Sequence, residues 1–137
     1  MSVRSFLDTN ILVYTDDMAS PTKRRTALDL VKLARGEGWG VVSTQVLQEY
    51  FAAATRKLGV SADIARAKVE VFGRLDVATI DTPAILGAID VHRLHDVSFW
   101  DGLIIHTARS AGCRRLYTED LQHGQRFDGL EVVNPFA

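Results

Sequence analysis

The feature that most limits the fold of this chain is a repeated alternation of short apolar runs with longer segments of helical spacing. Residues 3–7 form a β-prone run that ends at Asp8, and Ile11, Leu12, Val13 and Tyr14 follow as a helical turn. Ser20 and Pro21 supply a cap and a first-turn proline before Ala27, Leu30, Val31 and Ala34, which recur at helical spacing until Gly36. Residues 41–43 read as a brief buried strand. Thr44 then begins a helix with Leu47, Phe51, Ala54 and Leu58 on one stripe before Gly59, and Ser61 opens another through Phe72. The pattern continues with a strand at 77–80, a helix from Thr82-Pro83, a helix over about 98–110, and strands at 115–118 and 130–133. Strands too short for a period-two pattern, each separated by helix, predict a parallel sheet covered on both faces. The expected fold class is therefore α/β, a three-layer α/β/α sandwich around a central, mainly parallel sheet.

Length and composition limit the organisation further. A chain of 137 residues with 47% hydrophobic content can bury roughly two thirds of its unfolded surface. A single domain over 1–137 is expected, since no linker, repeat or low-complexity run divides it. The lone Cys113 cannot form an intrachain disulfide. The sequence also lacks an apolar signal core and any uncharged stretch long enough to span a bilayer. These features point to a reducing, cytoplasmic setting away from membranes.

The net charge of -1 conceals an asymmetry. Residues 21–74 carry ten Lys or Arg against five acids, whereas the rest carries six against twelve. A basic stretch is commonly a solvated face. It gains meaning where it flanks an acidic site to which an anionic polymer must be delivered.

In a parallel sheet, ligands bind beyond the carboxyl ends of the strands, near the point where strand order reverses. Four acids can reach that rim: Asp8 after the first strand, Glu49 two turns beyond the second, Asp101 in the helix opening near Ser98, and Asp120 after the strand ending at Thr118. Each has a structural reading beside the functional one. Asp8 can cap a helix. Ser98-x-x-Asp101 can form a capping box, and Asp101 suits a first helical turn. Glu49 shares a helix face with Gln45 and Arg56, as a solvated residue would, and Asp120 fits a turn. Brought together, however, four carboxylates repel one another and call for a cation. All-oxygen ligation suits Mg²⁺ or Mn²⁺. No Cys cluster supports zinc, and His92-x-x-His95 is the only histidine pair.

At these residues the chain resembles the PIN-domain family, and within it the VapC-type toxins of bacterial toxin–antitoxin pairs. The resemblance rests on four segments, FLDTNILVY at 6–14, STQVLQEY at 43–50, SFWDGLI at 98–104 and YTEDLQHG at 117–124. It implies that Asp8, Glu49, Asp101 and Asp120 are the catalytic, metal-ligating acids, with Mg²⁺ or Mn²⁺ as cofactor. It also implies that Asn10, Ser43 and Thr118 orient those carboxylates or bound water, with Glu119 as an auxiliary. The family cleaves RNA, its toxins are held inactive by a cognate VapB-type antitoxin, and its members form homodimers. Metal-activated water acting on a phosphodiester would leave 5′-phosphate and 3′-hydroxyl ends. Arg24, Arg25 and Arg56 are the residues chosen to carry RNA phosphates toward the acids. Tyr50, Phe51, Ile64, Val69, Phe72 and Leu75 read either as ordinary core or as a groove for an antitoxin helix.

Two other readings compete. A haloacid-dehalogenase-like phosphatase needs a second acid two residues after the first, where this chain has Asn10. A catalytically silent PIN-like module that binds RNA or a partner would be marked by a lost acid, and all four are present.

Overall fold

The computed structural model describes residues 3–137. Its elements run β1 Ser5–Leu7, α1 Thr9–Tyr14, α2 Pro21–Glu37, β2 Gly40–Ser43, α3 Thr44–Lys57, α4 Ala62–Phe72, β3 Asp76–Ala78, α5 Thr82–His95, α6 Phe99–Ser110, β4 Arg115–Tyr117, β5 Arg126–Phe127 and β6 Leu130–Val133. The strands form one sheet in the order β3-β2-β1-β4-β6-β5, parallel throughout except for the β5–β6 pair. From β1 the chain moves outward to β2 and β3, then returns to the other side of β1 for β4. Right-handed crossovers put α1–α4 on one face and α5 and α6 on the other, which is the expected three-layer arrangement.

Order reverses between β1 and β4, whose registers pair Leu7 with Tyr117. Asp8 and Thr118 therefore leave adjacent strand ends at the switch point. The Asp8 N–H donates to the Tyr117 carbonyl at 3.0 Å, extending the ladder to the rim.

The core lies on both faces of the sheet. Phe6, Leu7, Ile11, Leu12, Val41, Val42 and Leu116 are fully or almost fully enclosed. Each such side chain contributes about 1.5–3 kcal/mol relative to exposure. On the opposite face α5 and α6 approach so closely that a Cβ on Gly102 would lie 2.8 Å from the Ala88 carbonyl oxygen, and one on Gly87 would meet the His106 ring. His92 Nδ1 contacts the Val97 carbonyl and His95 packs edge-on to Phe127, so both histidines serve local structure.

Several boundaries and faces differ from expectation. The second helix runs through Gly36 to Glu37 and ends where Gly38 takes φ 74, since a left-handed residue is what terminates the turn. The buried stripe of α3 is Val46, Tyr50 and Ala54, one residue round from the predicted one, and Phe51 is 39% exposed. Tyr50, Phe72 and Leu75 are core, with Tyr50 and Phe72 edge to face at 5.0 Å. Ile64 is 59% exposed. β6 is the strand expected at 130–133, whereas β5, its partner in the β5–β6 hairpin, lies outside the elements that the sequence predicts. Asp128 at φ 46 and Gly129 at φ 90 form its two-residue turn, the Asp-Gly sequence that favours such a turn. Among the described residues no helix is long and apolar enough to cross a membrane.

Candidate active site

Asp8 is the N-cap of α1 and is buried, 6% exposed. Its Oδ1 accepts from the Thr9 N–H at 2.7 Å and its Oδ2 from the Thr118 hydroxyl at 2.9 Å. The capping reading and the site reading therefore hold for the same side chain. Thr118 is fully buried and works as a hub, since its Oγ1 also accepts from Asn10 Nδ2 and from the Asp120 N–H, both at 3.1 Å. Asn10 Nδ2 also donates to Asp120 Oδ2 at 3.1 Å. One short network thus links the end of β1, the first turn of α1 and the loop after β4.

Glu49 enters from α3. Its Oε1 accepts from the Thr9 hydroxyl at 2.7 Å and its Oε2 from Gln45 Nε2 at 3.4 Å, a contact one helical turn away. Neither Thr9 nor Gln45 is among the site residues expected from the sequence. The shared face of Gln45 and Glu49 is a visible signal for one of them, whereas Thr9 has none.

Asp101 enters from the first turn of α6, where its N–H donates to Ser98 Oγ at 3.0 Å. That bond is the first half of a capping box. The residue itself is half-buried.

Electrostatics ties the four together. Burial pushes the Asp8 carboxyl up to about 7. Hydrogen bonds from Thr118 and Thr9 oppose this, while the charges of Asp120 and Glu49 add to it. The Asp101 carboxyl is also raised, first by burial and then by the charges of the same Asp120 and Glu49, with Ser98 acting against them. Two acids from distant parts of the chain thus feel one common pair of neighbours.

The donor set suits a hard divalent cation, being oxygen throughout. Asn10 Oδ1 and Gln45 Oε1 are buried beside these carboxylates without a partner, and such orphaned acceptors suit a cation or its hydrating water. The ring is an open one. Among the described residues no three acid, histidine or cysteine side chains converge closely enough to enclose an ion as they stand. Of the ring's members Asp120 is exposed and Asp101 and Glu49 are half-buried.

The other predicted residues sit elsewhere. Ser43 is fully buried and caps α3, accepting from the Val46 N–H at 3.2 Å. Glu119 turns away from the acids and accepts from the Tyr14 hydroxyl at 2.6 Å and Lys23 Nζ at 3.1 Å. Arg25 is exposed, and Arg24 is half-buried with its Nε unpartnered. Arg56 lines a groove of about 510 Å³ with Thr9, Glu49, Ala52, Ala53 and Lys57. Asp16, although near in sequence to Asp8, is drawn to the other end of α1 by Lys68 Nζ at 2.8 Å.

A family model described as the PIN domain matches residues 5–127. No curated protein sequence matches the chain. Among solved structures it is similar to the VapC20 toxin of Mycobacterium tuberculosis, a sarcin-ricin-loop-cleaving toxin, at 21% identity and TM-score 0.66, covering 85% of this chain and 89% of that one. It is similar to a toxin–antitoxin complex from Klebsiella pneumoniae at 18% identity and TM-score 0.68, covering 96% and 97%. It is also similar to DNA-bound VapBC from Salmonella typhimurium at 23% identity and TM-score 0.68, again covering 96% and 97%.

Proposed function

The chain belongs to the PIN-domain family, and on that premise we propose that it is a divalent-metal-dependent endoribonuclease acting in the cytoplasm as the toxin of a toxin–antitoxin pair. The observation that carries this reading is the hydrogen-bond network at the switch point, in which Thr118 and Asn10 tie Asp8 to Asp120 and Thr9 ties Asp8 to Glu49, with the charges of Glu49 and Asp120 also felt at Asp101. Four carboxylates so arranged at a sheet switch point repel a polyanion unless a cation sits among them. Mg²⁺ or Mn²⁺, if held there, would supply an activated water and offset charge on the leaving oxygen.

The chain's own residues have separate roles. Asp8 and Asp101 would be the principal ligands. Asp8 is fixed by Thr118 and Thr9, and its oxygens keep free lone pairs beyond those two bonds. Thr9 and Gln45 aim Glu49, and Asn10 aims Asp120. Hydrolysis by water leaves 5′-phosphate and 3′-hydroxyl ends. Phe51 and Ile64, 39% and 59% exposed, offer apolar surface of the kind an antitoxin helix covers, and a homodimer is part of the same reading.

The test is to incubate the purified protein with total RNA in Mg²⁺, with and without chelator, and to characterise the new ends. Cuts bearing 5′-phosphate that vanish in chelator and in Asp101→Asn support the proposal. Cyclic-phosphate ends formed equally well in chelator overturn it.

A further inference from the structure

The groove beside Glu49 has a composition that the acid cluster alone does not explain. One end is Thr9 and Glu49, the middle is Ala52 and Ala53, and the far end is Arg56 and Lys57. Seven residues separate Glu49 from Arg56, which places the cations about 10 Å along the helix axis from the carboxylate. Among the described residues neither Arg56 nor Lys57 takes part in an ion pair or a side-chain hydrogen bond. Other cations near the site are already engaged, Lys68 by Asp16 and Thr15 and Lys23 by Glu119 and Tyr14.

We propose that Arg56 and Lys57 form a binding subsite for a backbone phosphate of the RNA strand, adjacent to but separate from the phosphate that is cut. The inference rests on the nuclease reading above and deepens it. The alanines give a floor without long side chains, so a sugar–phosphate backbone can lie against the helix. Arg56 supplies a planar fork suited to two phosphate oxygens and Lys57 a point charge, interactions that fix position without reading sequence. The acids repel the strand, so cations one groove-length away set where it rests and which linkage meets Asp8 and Asp101. Arg25, exposed on α2, does not line this groove.

The experiment uses the full chain carrying Asp101→Asn, so that RNA is bound without being consumed, and a fluorescein-labelled 12-nucleotide oligouridylate as probe. Anisotropy titrations across a salt series compare this protein with versions also carrying Arg56→Gln and Lys57→Gln, or Arg35→Gln and Arg93→Gln on other surfaces as a charge-matched control. The groove pair is expected to weaken binding about tenfold and to lower the slope of log affinity against log salt by about 0.7, the change for one single-strand phosphate no longer neutralised. The control pair keeps the parent slope. In the protein with Asp101 intact, calorimetry should find Mn²⁺ affinity in Arg56→Gln/Lys57→Gln undiminished, since no ligand is removed. An unchanged salt slope in the groove pair, or an equal fall in the control pair, overturns the subsite. Failure of the nuclease reading would look different: absence of chelator-sensitive cleavage in the unsubstituted protein, whatever the salt slopes.

Discussion

The Thr118 hydroxyl donates to Asp8 Oδ2 at 2.9 Å across a sequence separation of 110 residues. This bond joins the two strand ends at the point where sheet order reverses. Thr118 accepts two further bonds, so its removal unsettles Asn10 and Asp120 as well. Thr118→Val keeps the shape and removes all three. We expect a stability loss of about 1–3 kcal/mol in urea unfolding. Asp8 should titrate still higher, because a bond that favours its charged form is gone, and Mn²⁺ affinity at neutral pH should fall.

The pH dependence follows from the sign of the Asp8 shift. Its folded pKa of about 7 lies above the ordinary value of 3.8. Between those values the folded state keeps a proton that the unfolded chain releases. Stability from this group is therefore full below the unfolded value and is lost as pH rises through about 7. A cation needs the ionised carboxylate, so metal affinity should rise over the same interval. Calorimetry in buffers of differing ionisation heat should detect proton release on Mn²⁺ binding near pH 7, and thermal unfolding without metal should show higher stability at pH 5 than at pH 8.

Much of the architecture is legible in the sequence because local signals and tertiary packing agree. Ser61 and Ser98 cap α4 and α6 where their positions predict, and Pro21 opens α2. The buried face of α3 is misread because Leu47 and Phe51 are as apolar as Val46 and Tyr50. What decides between them is α1 and α4 lying beside one face, which no local window contains. A serine before a helix, as at Ser43, fits both a cap and a ligand-orienting role, and the bond that it accepts from the Val46 N–H shows the cap. The strand at 130–133 is read correctly, but its hairpin partner β5, despite the local turn signal in Asp128-Gly129, is too short to stand out by periodicity. The site itself is legible as a set of acids after strands, while Thr9 and Lys57 become visible only when α3 is seen against the end of β1.

Glu119 anchors the loop that carries Asp120. Tyr14 and Lys23 both donate to it, Lys23 Nζ stands 4.9 Å over the Tyr14 ring, and Phe136 packs edge-on to Tyr14 at 4.9 Å. The Glu119 bond is the leading cause that raises the Tyr14 pKa. In Glu119→Ala the tyrosinate absorbance of Tyr14 should therefore develop at lower pH. A Tyr14 titration unchanged by Glu119→Ala would contradict this pairing.

Gly102 follows Asp101, and a Cβ at that position would lie 2.8 Å from the Ala88 carbonyl oxygen. Backbone cannot swing aside as a flexible side chain can. Gly102→Ala should force α6 away from α5 at a cost of about 1–3 kcal/mol, read by urea unfolding. Because the strain falls on the turn that presents Asp101, Mn²⁺ affinity should drop in parallel.

The central claim is that Asp8, Glu49, Asp101 and Asp120 share a divalent cation, and anomalous diffraction from crystals grown in Mn²⁺ tests it most directly. The expected result is an anomalous peak within about 2.0–2.3 Å of oxygens from Asp8 and at least one other of the four acids. Ordered side chains with no peak among them at saturating Mn²⁺, or a peak held by other residues, would contradict it.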